Sequence, residues 1–356
     1  MTFRKWAVLF SGAMLAAAVL LGLFNYAVDP FGVFGDKLLR WHSYNMVNNP
    51  RIAKIAYLDQ YHERYDSYII GGSKSSSLDP ALLNQYYGDA KFYSMLMYGG
   101  DFHDYEKTLY YLVEHYEVKH IVLHMSLQEI SHYNVNSESF DPKKNLHAKV
   151  SGQSLAGFYF RYLTLHPKYS LSKLEGLARR AVDPDEFTQI KPEDGVYNKV
   201  KRDAEELGSI EDFLANHPDY ALPIGRLDAS AMHQNVKALR RMKEYCEARG
   251  ISFTFVAGAA SDTEMASYSL EDLKKYWIAL AEVTDFWDFS GYTPISSDPR
   301  NFYDSMHYRN SVGRMMLAYM FQDETVYVPP QLGHYTTKEN VKEHSERIFT
   351  KPPVDS

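Results

Sequence analysis

Between residues 67 and 125 the chain alternates apolar runs with amphipathic stretches, and this rhythm limits the possible folds more than any other feature. Tyr68–Gly71, Lys91–Leu96 and His120–Met125 are short, apolar and rich in β-branched or aromatic residues, as strands are. Between them lie helical stretches, the first opened by Asp79-Pro80 and running to Tyr87, the second from Phe102 to Tyr116 after the Gly99-Gly100-Asp101 turn. Strands separated by helices predict a parallel sheet with right-handed crossovers. The pattern returns with a helix over Ala231–Arg249, a strand at Ile251–Ala257, a helix over Leu270–Val283, a strand at Asp285–Phe289 and a closing helix over Ser311–Phe321, capped from Asn310 or Ser311. The expected fold is therefore α/β, a three-layer domain over residues 67–322 with a central five-stranded parallel sheet. Residues 132–225 break the rhythm. They are polar, with short helical stretches such as the acidic Ala204–Leu214, and read either as a mostly helical insertion over the carboxyl edge of the sheet or as a small separate domain. The charged tail, residues 323–356, contains Pro329-Pro330 and Pro352-Pro353 and reads as a surface wrap or a disordered end.

The N-terminus supplies a second constraint. Arg4 and Lys5 precede a nearly unbroken apolar run from Trp6 to Val28, interrupted by Ser11, two glycines and Asn25. At a rise of about 1.5 Å per residue such a helix matches a bilayer core of about 30 Å. Residues 1–28 thus read as a cytoplasmic tip and uncleaved transmembrane signal anchor. A cleavable signal peptide is the competing reading, but Ala16-Ala17-Ala18 lies inside the apolar run. The basic flank predicts a cytoplasmic N-terminus and an extracytoplasmic body at the cell membrane. Residues 29–66 form a juxtamembrane segment that begins with the turn-rich Asp29-Pro30-Phe31-Gly32 and carries a helical pattern over Arg51–Tyr65.

Composition narrows the partners. A net charge of −7 argues against nucleic acid, which requires a basic face. The 29 Tyr and 19 Phe suit a large aromatic core, or stacking on sugars. Cys246 is the only cysteine, so no disulfide within the chain is available.

The residues that suggest chemistry lie at turns. Gly71-Gly72-Ser73 ends the first expected strand, where an open parallel sheet binds ligands. A serine hydroxyl needs a base within hydrogen-bond reach, and the base needs a group that fixes its tautomer. Asp304 and His307, three residues apart in the loop before the closing helix, are the candidate orienter and base. Ser75, Ser76 and Ser77 fall where capping is the commoner role, and the adjacent Lys74 offers a Ser–Lys dyad as a weaker alternative. His103, His124 and His132 lack metal-ligand spacing, and residues 71–75 lack the spacing of a phosphate-binding loop, so neither a metal nor a cofactor is expected.

On Gly71-Gly72-Ser73 and Asp304-x-x-His307, in this order of elements, the chain resembles the SGNH/GDSL hydrolase superfamily over roughly residues 66–130 and 230–322. Gly72 stands where that family usually has Asp. The resemblance implies Ser73 as nucleophile, His307 as base and Asp304 as its orienting acid, with oxyanion donors among Gly99, Gly100 and Gln128. Gln128 occupies the place of the family's Asn, and the glycines fall a few residues late, so the donors remain open. With the single anchor and the Asp-Pro-Phe-Gly exit, the chain is similar to membrane-anchored extracytoplasmic D-alanyl transfer and polysaccharide O-acetylation proteins. That likeness implies a membrane-bound O-acyltransferase (MBOAT) partner, a cell-envelope polysaccharide or teichoic acid substrate, and acyl transfer or ester hydrolysis. The alternative is a non-catalytic glycan-binding or scaffold protein of an envelope assembly complex.

Overall fold

A computed structural model describes residues 2–39, 49–133, 140–187, 190–221 and 227–350. In chain order the elements are α1 Phe3–Val28, α2 Pro50–Tyr61, β1 Ser67–Gly71, α3 Pro80–Tyr87, β2 Phe92–Leu96, α4 Phe102–His115 and β3 His120–Met125. Then follow α5 Ala148–Ser151, α6 Leu155–Leu163, α7 Lys168–Arg180, α8 Pro184–Phe187, α9 Val200–Asp203, α10 Ile210–Asn216 and α11 Met232–Glu247. The chain closes with β4 Ser252–Ala257, α12 Asp262–Met265, α13 Leu270–Ala281, β5 Phe286–Asp288, α14 Asn310–Phe321, β6 His334–Thr336 and α15 Val341–Ile348. Two compact units result, one of Met1–His62 with Ser139–Pro192, the other of Glu63–Glu138 with Glu193–Ser356.

The second unit is α/β, built on a mixed, mostly parallel sheet in the order β2-β1-β3-β4-β5-β6. Register aligns the carboxyl ends: Gly71 pairs with Leu96, Met125 with Ala257, and Ala257 with Asp288. Chain direction across the sheet reverses between β1 and β3, which places the crevice of an open sheet beside the end of β1. Side-chain alternation sends Ile69, Val122 and Val256 into one cluster with Leu83 of α3 and Val312, Met316 and Leu317 of α14. On the other side Phe102 of α4 packs edge-on to Phe255, and α4 packs against α11. Asp79 caps α3 by accepting from Ala81 N–H, with Pro80 at its first position.

Several expectations need correction. The sheet has six strands, not five, because the C-terminal residues fold back onto it. His334–Thr336 pairs antiparallel with β5, Trp287 opposite Tyr335, and covers an edge that would otherwise be open. α15 then seats Ile348, and Phe349 packs edge-on to Trp277 at 5.0 Å. The Ala204–Leu214 helix is displaced: α9 stops at Asp203, and a Ser209–Asp212 capping box starts α10 afresh. α14 starts at Asn310 with Arg309 at the cap position and no side-chain cap. Residues 132–225 are divided between the units, since 139–192 cluster with the N-terminal segment and 193 onward with the sheet. Residues 134–139, 188–189 and 222–226 of that stretch, and Pro352-Pro353, lie outside the described residues.

The first unit has its own core, in which Phe31, Val33, Ile52, Ala148, Phe158, Tyr162 and Leu165 are buried together. Among the described residues, α1 is long and apolar enough to cross a membrane.

Candidate active site

The Ser73 turn is shaped by close approach. A Cβ on Gly71 would lie 2.8 Å from Ser75 Cβ and 2.9 Å from the His124 carbonyl oxygen, so only glycine fits as β1 ends. The chain then winds into a 3₁₀ turn over Ser73–Ser77, whose first internal bond runs from Ser75 N–H to Gly72 C=O at 3.1 Å. The N–H groups of Ser73 and Lys74 precede that bond and have no acceptor within the turn. From Gly71 to Leu78 every residue is buried except Ser73, which is half-buried. Ser75 Oγ donates to Gly72 C=O and Ser77 Oγ to Tyr308 C=O, so both hydroxyls are structural.

The histidine loop is pinned at its base. Phe302 and Tyr308 form an antiparallel bridge, and Tyr303 N–H donates to His307 C=O at 2.7 Å. Asp304 Oδ1 accepts from the N–H groups of Met306 (3.0 Å) and His307 (2.9 Å), a local Asx-type turn that explains the three-residue spacing. The same carboxylate receives His307 Nδ1 at 2.8 Å. With Nδ1–H directed at Asp304, Nε2 is the acceptor, and it stands 2.8 Å from Ser73 Oγ. The Ser–His–Asp relay expected from sequence is thus assembled across 234 residues. Burial alone would raise the Asp304 carboxyl, but the hydrogen bond and charge of His307 and the two backbone N–H groups together hold it well below the usual carboxylate range. Arg202 adds a guanidinium 3.6 Å from Asp304 Oδ2.

The three expected oxyanion donors fare differently. Gly100 N–H is engaged by Met97 C=O at 3.2 Å in a turn. Gly99 adopts a left-handed conformation (φ 52°) one residue earlier. Gln128 is half-buried with Nε2 3.4 Å from Met306 Sδ, so its amide reaches the loop that carries His307.

Beneath the relay lies a buried polar layer that sequence reading missed. Lys74 Nζ is 2.5 Å from Glu264 Oε1, with both side chains almost completely buried, which removes it as a dyad partner for Ser73. Burial raises the Glu264 carboxyl and Lys74 partly offsets this. The available signal was Ser261-Asp262-Thr263-Glu264, a cap pattern that opens α12 when Ser261 Oγ accepts from Glu264 N–H. Next to Gly72, a Cβ would meet Tyr105 Oη at 3.1 Å and Glu129 Oε1 at 3.4 Å. The space beside position 72 is therefore filled by a carboxyl from elsewhere in the chain. Glu129 is held by Ser126 and Tyr105 and raised by burial. His124 donates to or accepts from Tyr308 Oη at 2.9 Å, and burial, followed by the charge of Lys74, pushes it down to about 3. Lys199 ties the serine turn to the start of α14, donating to Ser77 Oγ (2.8 Å) and Asn310 Oδ1 (3.2 Å); burial pushes its pKa down to about 7.

Asp101, His103 and Asp104 bring potential metal-ligating atoms within 4.8 Å of one another, but Asp101 already caps α4 by accepting from His103 and Asp104 N–H. His124 and His132 lie outside that group. No protein-family model matches the chain, and comparison with curated proteins gives no match.

Proposed function

We propose that the chain is a membrane-anchored, SGNH-type serine esterase or O-acyltransferase that works outside the cytoplasmic membrane. The observation that carries this reading is the Ser73–His307–Asp304 relay, with 2.8 Å at each step, at the carboxyl end of a mostly parallel sheet.

In this mechanism Ser73 Oγ attacks an ester carbonyl carbon while its proton passes to His307 Nε2. Collapse of the tetrahedral intermediate breaks the C–O bond, and His307 returns the proton to the leaving alkoxide. The acyl group stays on Ser73. An acceptor hydroxyl or a water then gives its proton to His307 and attacks the acyl carbon, and the proton returns to Ser73 as the product leaves. Asp304 stays ionised, holds the productive tautomer and stabilises the imidazolium. Ser73 N–H and the Gln128 amide serve the oxyanion. The acceptor is a cell-envelope glycan or lipid-linked polymer such as teichoic acid, with a membrane-bound O-acyltransferase as acyl donor. Support for this assignment comes from α1 and from the resemblance at residues 71–73 and 304–307.

A second reading, a glycan-binding scaffold without turnover, draws on one observation: the Gly100 N–H is engaged within its own turn. Fluorophosphonate labelling of the purified chain separates the two. Catalysis predicts one labelled serine, lost in Ser73→Ala, and the scaffold predicts none.

A further inference from the structure

The geometry points to a second membrane contact: α6 and α7 form an interfacial shoe that lies on the phospholipid leaflet at the C-terminal end of α1. This rests on α1 spanning the bilayer, and is independent of whether Ser73 is catalytic.

The first observation is the depth at which these helices meet α1. Asn25, the polar residue that interrupts the apolar run, is completely buried. Its Nδ2 donates to Leu163 C=O (2.9 Å) and Leu165 C=O (2.8 Å), and its Oδ1 accepts from Ser170 Oγ at 2.7 Å. One turn earlier, a Cβ on Gly22 would lie 4.0 Å from Leu163 Cβ. Gly22 precedes the end of α1 by about 9 Å at the α-helical rise. The C-terminal end of α6 and the N-terminal end of α7 therefore sit beside the last two turns of a membrane-spanning helix, at the level of headgroups and upper acyl chains. The joint is stiff. Lys173 of α7 donates to Asp29 C=O at 2.8 Å and pairs with Asp36 at 2.9 Å, with both side chains buried.

The second observation is the face these helices leave open. Phe160 on α6 is 66% exposed and Leu171 on α7 is 57% exposed. Leu155, Leu174 and Val182 are exposed as well. Leu171, Leu174 and Ala178 recur at helical spacing, so they form one stripe along α7. Leu20 and Leu23 of α1 are also exposed, so lipid-facing surface occurs on the same unit.

Charge supports a lipid occupant. Within α6, α7 and the turn that joins them, outside the buried Lys173 pair, Arg161, Lys168, Arg179 and Arg180 stand against Glu175, to which Arg179 is paired, and the acidic Asp183, Asp185 and Glu186 follow beyond the end of α7. Cations flanking an apolar helix face reach headgroup phosphates while their stems stay against the apolar surface. The shoe would hold the first unit at a fixed height above the leaflet, where a lipid-linked acceptor is presented.

The test uses the full chain reconstituted into vesicles of phosphatidylcholine and phosphatidylglycerol. Cys246 is buried, so nitroxide labels are directed to Phe160→Cys, Leu171→Cys and Leu174→Cys, with exposed Glu211→Cys on α10 as the aqueous reference. Co-flotation with vesicles first establishes that α1 anchors each variant. The expected result is collision with oxygen exceeding collision with a water-soluble nickel chelate at 160, 171 and 174, at a depth of roughly 5–10 Å, and the reverse at 211. Anchored protein whose three labels match position 211 would overturn the proposal and leave this face for a protein partner. Loss of fluorophosphonate labelling would count against the catalytic reading alone and leave the depth result unchanged.

Discussion

Replacing Lys74 by methionine removes the cation from the most enclosed ion pair beneath the site. Lys74 and Glu264 are 2.5 Å apart with side chains 3% and 0% exposed. The charge of Lys74 also favours the ionised form of the buried Glu129. Breaking one partner of such a pair costs about 3–5 kcal/mol, because the other charge remains buried without compensation, whereas replacing both by apolar residues is often neutral or stabilising. The expected order in urea unfolding at neutral pH, followed by near-ultraviolet circular dichroism, is therefore Lys74→Met least stable and Lys74→Met/Glu264→Leu near wild type. The pH dependence has a definite sign. Burial already holds the Glu264 carboxyl above its ordinary value of 4.5, and loss of Lys74 removes the main opposing influence. A raised carboxyl favours the folded state while protonated, and that contribution disappears as pH rises through the folded pKa. The Lys74→Met deficit should accordingly be largest at neutral pH and shrink as pH falls towards 4.5. A single variant within ~0.5 kcal/mol of wild type at neutral pH, against the several expected for a broken buried pair, would refute this reasoning. A double variant as unstable as the sum of the singles would refute it too.

Asp304→Asn keeps an acceptor for the turn but loses the carboxylate that fixes Nδ1–H on His307; turnover of an activated ester should fall by about 10⁴ with substrate affinity unchanged, measured by steady-state kinetics. Because the Asp304 carboxyl is held low, its ionised contribution should persist across the neutral range and be lost only as pH falls through that depressed pKa, which an acid titration of activity and fold would show. A Cβ on Gly313 would lie 1.8 Å from the Ser77 carbonyl oxygen, so Gly313→Ala should force α14 away from the serine turn and lower both melting temperature and Ser73 labelling. Burial raises Asp29 from 3.8 to about 6, so stability of the first unit should decline as pH rises through 6, and Asp29→Asn should remove that slope, worth about 3 kcal/mol. Thermal unfolding in detergent as a function of pH checks it.

The parallel strands were legible because β-branched and aromatic runs such as Ile251–Ala257 need no partner to be recognised, and their ends differed from observation by at most one residue. β6 was not legible. Three residues, His-Tyr-Thr, are too short to alternate, and their strand character comes from the open edge of β5. At the site, Ser73, Asp304 and His307 could be nominated because turn position and short-range spacing carry information. The Lys74–Glu264 pair, 190 residues apart in sequence, and the Glu129 carboxyl beside Gly72 could not, since only folding brings them together. Gln128 was nominated by position, and its reach to Met306 is a property of the packed loop.

The central claim is that Ser73 forms a covalent acyl intermediate. Its most direct measurement is peptide mass spectrometry of the reconstituted full chain after brief reaction with a fluorophosphonate and, separately, with an activated acetyl ester. The account predicts phosphonyl and acetyl adducts on the peptide containing Ser73, absent after Ser73→Ala and slowed by about four decades after Asp304→Asn. Adducts that persist in Ser73→Ala, or map to Ser75, Ser76 or Ser77, would contradict it.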